Sequence, residues 1–250
     1  MIPKVIHYCW FGHNKLPKKA KRCIASWRKF LPDYEIIEWN ENNFDVNIIP
    51  YTAEAYKAKK YAFVSDYARF WILYHYGGVY FDTDVKVIKP MNDIINNGAF
   101  MGAETSVERG QRLYVNPGIG LGAEPNHAFL KECMDLYNNL NFKYVKGVWT
   151  KTVCQYTTEL LEVHGLRQTD EIQTVVGLTI YPWDFMCPIS TEGLVMHKTH
   201  NTVSIHYFAG TWKSPIQRFK RQLSMILHPK IRIFLIITKR RLKSKFEFLK

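Results

Sequence analysis

The sequence predicts an α/β fold, a sheet flanked by helices, followed by a basic helical tail. Three observations carry this expectation. Apolar runs of strand length alternate with segments of helical spacing along most of the chain. A strongly apolar helical block ends at Gly77–Gly78 and leads straight into another strand-like run. The charge is also unevenly divided: of a formal net +12, residues 213–250 hold twelve Lys or Arg against one acid, a net +11, which leaves +1 for residues 1–212.

Taken in order, "PKVIHYCW" reads as a buried first strand, and helical spacing follows from Pro17 to Phe30, with Pro17 suited to a first turn. "YEIIEW" is a second strand. Asn40 to Pro50 is polar loop, and Tyr51 to Lys60 reads as a helix. "YAFVSDYARFWILYHYGG" is apolar nearly all round a helix, which puts it in the interior. Glycine enters the left-handed cap conformation without strain, so Gly77 and Gly78 stop it. "VYFDTDVKVI" reads as a strand, and "AFMGAE" and "YVNPGIGLGAE" as further strands or strand edges. His127 to Leu140 and much of Thr152 to His164 are helical. "LTIYPWDFMCP" and "TVSIHYFAG" supply late strands, and Ser214 to Lys250 reads as two basic helices broken at Pro229.

With 250 residues, 47% hydrophobic and 15% aromatic, the chain suits one large domain, taken as residues 1–212, plus an appendage at 213–250. The apolar run at the start is too short for a signal peptide, and no stretch is long and apolar enough for a membrane-spanning helix. Cys9, Cys23, Cys133, Cys154 and Cys187 are scattered, form no CxxC pair, and read as reduced thiols of a cytoplasmic protein without a zinc site. A nearly neutral body argues against nucleic-acid binding. The tail interleaves Lys and Arg with Ile, Leu and Phe, the composition of an interfacial helix, and points to an anionic membrane surface; the alternative is a helical cap that packs on the body with its charge solvated.

The stretch "YFDTDV" raises the chemical question. On a straight strand Tyr80, Asp82 and Asp84 share one face, with the two acids roughly 7 Å apart. Like charges that close in a partly desolvated place need a counter-charge, and a hard divalent ion, Mg²⁺ or Mn²⁺, is the natural one. At that spacing one acid binds the ion directly and the other through water or a ligand hydroxyl. On the preceding helix Asp66 and Arg69 share a side, three residues apart. They either close a mutual salt bridge or line the same cleft.

"FVSDYARFWILYHYGGVYFDTDV" resembles the signature of family 32 sugar transferases, which carry a DxD motif and include capsular polysaccharide enzymes and fungal mannosyltransferases. More distantly it resembles the catalytic domains of the clostridial glucosylating toxins. "VIHYCWFG" is similar to the family's opening IHxxW strand, and "SIHYFAGTW" to its closing segment. The resemblance implies a GT-A fold, a Rossmann-like mixed sheet flanked by helices that binds a nucleotide-sugar at the carboxyl ends of its strands. It implies that Asp84 ligates the metal, that Asp82 contacts ribose or sugar and approaches the metal, and that Trp10 stacks on the base. Asp66 would bond the nucleotide or sugar, Arg69 the sugar or phosphate, and Tyr80 would line the donor pocket. His206 completes the metal shell or is a core histidine. By the same resemblance Trp212 and Lys213 would cover the diphosphate, and Asn116 would contact sugar hydroxyls or merely serve a turn beside Pro117. "VWTKTVCQYTTELL" departs from the family's Gly-Pro stretch, so no acceptor residue is carried over.

The expected activity is metal-dependent, retaining transfer of a hexose from a UDP- or GDP-sugar to a saccharide or lipid-linked saccharide acceptor, in capsular or surface polysaccharide synthesis at the inner face of the membrane. The catalytic group would be Asp82, Asp84 and Arg69. The rival from another class is a non-catalytic nucleotide-sugar-binding or scaffold protein. A metal-dependent phosphohydrolase is a further alternative.

Overall fold

The computed structural model describes residues 1–142, 144–145, 148–149, 151–190 and 195–210. Trp212, Lys213 and the whole basic tail lie outside the described residues. The elements run Val5–Cys9 (β1), Lys18–Phe30 (α1), Glu35–Trp39 (β2), Pro50–Lys57 (α2) and Tyr61–Tyr76 (α3). Then come Gly78–Tyr80 (β3), Val85–Val87 (β4), Asn92–Asn96 (α4), Phe100–Ala103 (β5), Val115–Ala123 (β6) and Ala128–Asn138 (α5). Tyr144–Val145 (β7) and Val148–Trp149 (β8) pair with each other ahead of Val153–Val163 (α6). Gln173–Val175 (β9), Leu178–Tyr181 (β10), Trp183–Met186 (α7) and Ser204–His206 (β11) follow.

The main sheet has seven strands in the order β2-β1-β3-β6-β5-β10-β9. β2, β1 and β3 are mutually parallel, β6 runs antiparallel to both β3 and β5, and β10 is parallel to β5. The α/β class and the mixed sheet flanked by helices agree with the expectation from sequence. This topology has a direct consequence. β1, β3 and β5 point the same way, so the residues that follow them emerge at one edge of the sheet, where reversed β6 begins. Ligands of open α/β sheets bind outside such carboxyl ends.

Both faces of the sheet are covered, because side chains alternate along each strand. Ile6 and Tyr8 pack with Trp27, Leu31, Ile94 and Met186 on one side. Cys9, Tyr80 and Met101 pack on the other with Phe63, Phe70, Phe129 and Leu161. α3 is the interior helix: Val64, Ala68, Phe70, Ile72 and Leu73 are fully buried. It ends as its glycines require. Gly77 and Gly78 take φ of +64° and +101°, and a Cβ on Gly78 would lie 2.6 Å from the Val5 carbonyl oxygen. His7 fastens this corner, its Nε2 lying 3.0 Å from the Gly77 carbonyl oxygen.

Three local expectations are corrected. The strand through "VYFDTDVKVI" is broken: β3 stops at Tyr80 and β4 starts at Val85, and the Val85 N–H closes a turn onto the Asp82 carbonyl at 3.0 Å. "LTIYPWDFMCP" is a strand only to Tyr181, since Pro182 has no N–H to continue a ladder and instead caps α7. The late strand expected through "TVSIHYFAG" is only Ser204–His206 (β11), which joins β4 in a separate two-stranded sheet. The five cysteine thiols are free and buried. Among the described residues no helix is long and apolar enough to cross a membrane.

Candidate active site

The turn that interrupts the expected strand is what makes the aspartate pair a site. The Asp82 N–H donates to the Gly118 carbonyl at 2.8 Å, and the chain then folds back into β4. β11 lies antiparallel to β4 with His206 opposite Val85, which sets the imidazole against the turn. One ligand atom from each of Asp82, Asp84 and His206 now lies within 4.8 Å of the other two. A straight strand would hold the acids too far apart to share an ion directly; the bend removes that obstacle.

The His206 Nε2 is 3.3 Å from Asp84 Oδ1, and the Ala209 N–H donates to Asp84 Oδ2 at 2.6 Å. Burial alone would push the His206 pKa down, but the adjoining Asp84 carboxylate holds it well above the usual imidazole range. Asp84 moves the opposite way: burial works to raise it, and the His206 charge and hydrogen bonds bring it below the ordinary value. Asp82 is raised, by burial first and by Asp84, with Arg69 opposing. Two carboxylates and one imidazole facing a common point form an oxygen-and-nitrogen donor set that fits Mn²⁺ well. Nitrogen makes it less suited to Mg²⁺.

Arg69 connects this cluster to α3. Its guanidinium Nη2 donates to Asp66 Oδ1 at 2.9 Å and reaches Asp82 Oδ1 at 3.3 Å, while its Nε donates to the Ser65 carbonyl. The two readings of Asp66 and Arg69 are therefore both realised: they pair, and both line the cleft. Burial pushes the Asp66 carboxyl up to about 7, with the Arg69 charge opposing and Asp82 adding to the rise. Tyr80 corrects an expectation. At 1% exposure it does not line the cleft; it lies beneath, its ring 5.0 Å from the Arg69 guanidinium carbon and its hydroxyl donating to Asp82 Oδ1 at 3.2 Å. It supports Asp82 from behind.

The cleft itself encloses about 700 Å³ at the shared carboxyl edge of β1, β3 and β5. Trp10, immediately after β1, is half-buried in its wall, the indole N–H donating to the Asn14 carbonyl at 2.6 Å. Asn116 sits in β6, not in a turn, and is buried. Its Oδ1 accepts from the Gly118 N–H at 2.7 Å and its Nδ2 donates to Glu104 Oε2 at 2.8 Å. Gly118 has to be glycine: a Cβ there would fall 2.1 Å from Asp82 Oδ2.

Two parts of the wall are not foreseen by sequence reasoning. One is Glu104, the first residue after β5. Its only signal is its place directly behind the strand "AFMGA", and nothing in the sequence says that this strand runs parallel to the one before Asp82. The other is Thr152–Cys154, where a capping box between Thr152 and Gln155 starts α6 at the cleft.

Residues 17–101 match the family described as the glycosyltransferase sugar-binding region containing the DXD motif. The chain is thus similar, over a stretch that includes Asp66, Arg69, Asp82 and Asp84, to the sugar-binding region of DXD-containing glycosyltransferases. It is 29% identical over 154 residues to inositol phosphoceramide mannosyltransferase 1 of Schizosaccharomyces pombe, covering 57% of this chain and 45% of that protein. It is 35% identical over 124 residues to the human alpha-1,4-N-acetylglucosaminyltransferase, covering 50% of this chain and 32% of that one. An uncharacterized glycosyltransferase of Acanthamoeba polyphaga mimivirus is 26% identical over 224 residues, 82% of this chain and 85% of that protein. The chain spans less than half the length of the fission-yeast and human relatives. Among solved structures, the PaToxG glycosyltransferase is similar with a TM-score of 0.48 and 20% identity, over 65% of this chain and 69% of that one.

Proposed function

We propose that this chain is a metal-dependent, retaining glycosyltransferase that moves a hexose from a UDP- or GDP-sugar to a saccharide or lipid-linked saccharide acceptor, in capsular or surface polysaccharide synthesis. The observation that carries the reading is the convergence of Asp82, Asp84 and His206 at the wall of a cleft that also holds Trp10, Asp66 and Arg69. Asp84 and His206 would hold the ion, with Asp82 restrained beside it by Arg69 and Tyr80. Bound there, Mn²⁺ supplies the Lewis acidity that a departing diphosphate needs.

The protein's own residues do the rest. Trp10 offers its indole to the nucleotide base, a contact worth about 1–3 kcal/mol. Arg69 is a fixed, buried positive charge whose position two carboxylates determine, so it needs no reorganisation when negative charge develops on the leaving group. Asp66, raised toward neutrality by burial, can donate or accept a hydrogen bond to the donor at ordinary pH. The +11 of residues 213–250 supports contact with an anionic membrane surface on charge alone, and salt-sensitive binding to anionic liposomes tests that point.

A thermal-shift screen tests the reading. UDP-glucose, UDP-galactose, UDP-N-acetylglucosamine and GDP-mannose, each with Mn²⁺, are compared with Mn²⁺ alone, because a ligand that binds only the folded state raises the melting temperature. At least one donor is expected to raise it further, and to be turned over when acceptor is supplied. Binding with no turnover on any acceptor would favour a scaffold instead; no donor binding at all would defeat the proposal.

A further inference from the structure

We propose that Glu104 reads the hydroxyl groups of the transferred sugar and so decides which hexose the site accepts; this rests on the donor-binding function just proposed. Glu104 follows β5 directly, as Trp10 follows β1 and Asp82 follows β3 by one residue, so all three emerge at the same edge of the sheet. It is half-buried in the cleft wall. What separates it from the other acids there is its partner. Asp66 and Asp82 share Arg69, and Asp84 faces His206. Glu104 is held instead by neutral groups: its Oε2 takes an amide hydrogen from Asn116, and the buried Cys154 thiol lies beside its carboxylate. No cation competes for it among the described residues, so its acceptor capacity is open to a ligand in the cleft.

It is also rigidly indexed to the aspartate pair. Asn116 holds Glu104 with its amide nitrogen and Gly118 with its amide oxygen, and the Gly118 carbonyl receives the Asp82 N–H. The two polar ends of Asn116 are therefore occupied in orienting Glu104, which makes Asn116 the positioning residue and Glu104 the reader. A carboxylate is an acceptor-only group, and a donor sugar whose diphosphate lies at Asp84 presents hydroxyl donors around its ring. A partly desolvated carboxylate oxygen that finds no hydroxyl is left short of a donor, and that is how a polar site rejects a sugar lacking or inverting one.

The experiment measures affinity and kcat/KM in the full chain with Mn²⁺ for the donor found in the screen, for its monodeoxy analogues, and for UDP or GDP alone. In the wild type, one deoxy analogue is expected to bind about ten- to a hundredfold more weakly than the parent donor. In Glu104→Gln and Glu104→Ala that difference collapses, while affinity for the bare nucleoside diphosphate is unchanged. Circular dichroism and an unchanged nucleotide affinity show that the variants are folded. The inference is overturned if both variants keep the wild-type preference among deoxy donors, if they lose nucleotide affinity equally, or if Glu104→Gln binds every donor normally and loses only turnover. Wild-type protein that binds no nucleotide-sugar overturns the underlying function as well, whereas the former outcomes leave that function standing and remove only the role of Glu104.

Discussion

His7 and His206 are the same side chain at nearly the same depth, 1% and 7% exposed, yet their protons are held in opposite ways. At the His7 corner the Trp39 indole N–H donates to Nδ1 at 3.0 Å, which leaves Nε2–H to donate to the Gly77 carbonyl. Both ring nitrogens are satisfied by neutral partners, and burial lowers the pKa to about 4 against the small opposing pull of Gly77. At the His206 corner the facing group is a carboxylate, and the pKa rises. Burial is therefore not what marks a functional residue here. The charge of the partner is. His7 holds a glycine turn in place with a neutral ring, whereas His206 and Asp84 hold a charge pair that a divalent ion can replace.

The strongest way to break this contrast is to neutralise the His206 corner. Asp84→Asn is expected to lower sugar transfer by about a thousandfold, the scale of losing a metal's contribution of several kcal/mol. EDTA should do the same to the wild type, reversibly on adding Mn²⁺. The variant should keep its circular dichroism spectrum and cooperative melting, because Asp84 belongs to no core cluster. Turnover that survives either treatment would reduce the His206 corner to a structural ion pair.

The His7 corner should respond to acid instead. Its folded pKa lies below that of an unfolded imidazole, near 6.5, so the unfolded chain takes up a proton that the folded chain refuses. The stability held by His7 is complete above about pH 6.5 and is lost as pH falls from there to about 4, on the order of 3 kcal/mol in all. Urea denaturation at stepped pH measures it, and His206→Asn should leave that loss in place. A flat profile over this range would mean that the neutral corner is not what it looks like.

The smallest effect is the most diagnostic. His206 holds its proton at neutral pH through Asp84, and a metal ligand must be a neutral imidazole. Mn²⁺ binding should therefore release a proton, and affinity should fall up to about tenfold for each unit of pH decrease. Calorimetry in buffers of different ionisation enthalpy reads this directly. Mn²⁺ binding that releases no proton would leave the two histidines alike in function.

Much of the architecture is legible in the order of the residues. The uninterrupted apolar character of Tyr61–Tyr76 and the two glycines after it specify an interior helix and its end, because helical periodicity and the left-handed cap are properties of neighbouring residues. Asp66, Arg69, Asp82 and Asp84 stand out for similar local reasons and Trp10 through the family resemblance, and all five line one cleft. The alternation of side chains puts Tyr80 on the correct face of its strand but says nothing of its depth, which depends on Arg69 lying over it.

Sequence alone is enough for the class of fold, the interior helix, and which acids stand beside one another. Only the folded packing makes the Asp82–Asp84 strand bend, shares Arg69 between two carboxylates, and brings His206 and Glu104 to the same wall. Ala209 lies 125 residues from the Asp84 carboxylate it bonds, and Asn116 reaches Gly102 only through the pairing of β6 with β5. Local patterning acts over a few residues and leaves a signature in the order of side chains. The pairing of distant strands is chosen by the packing of the whole core, and no short stretch of sequence records it.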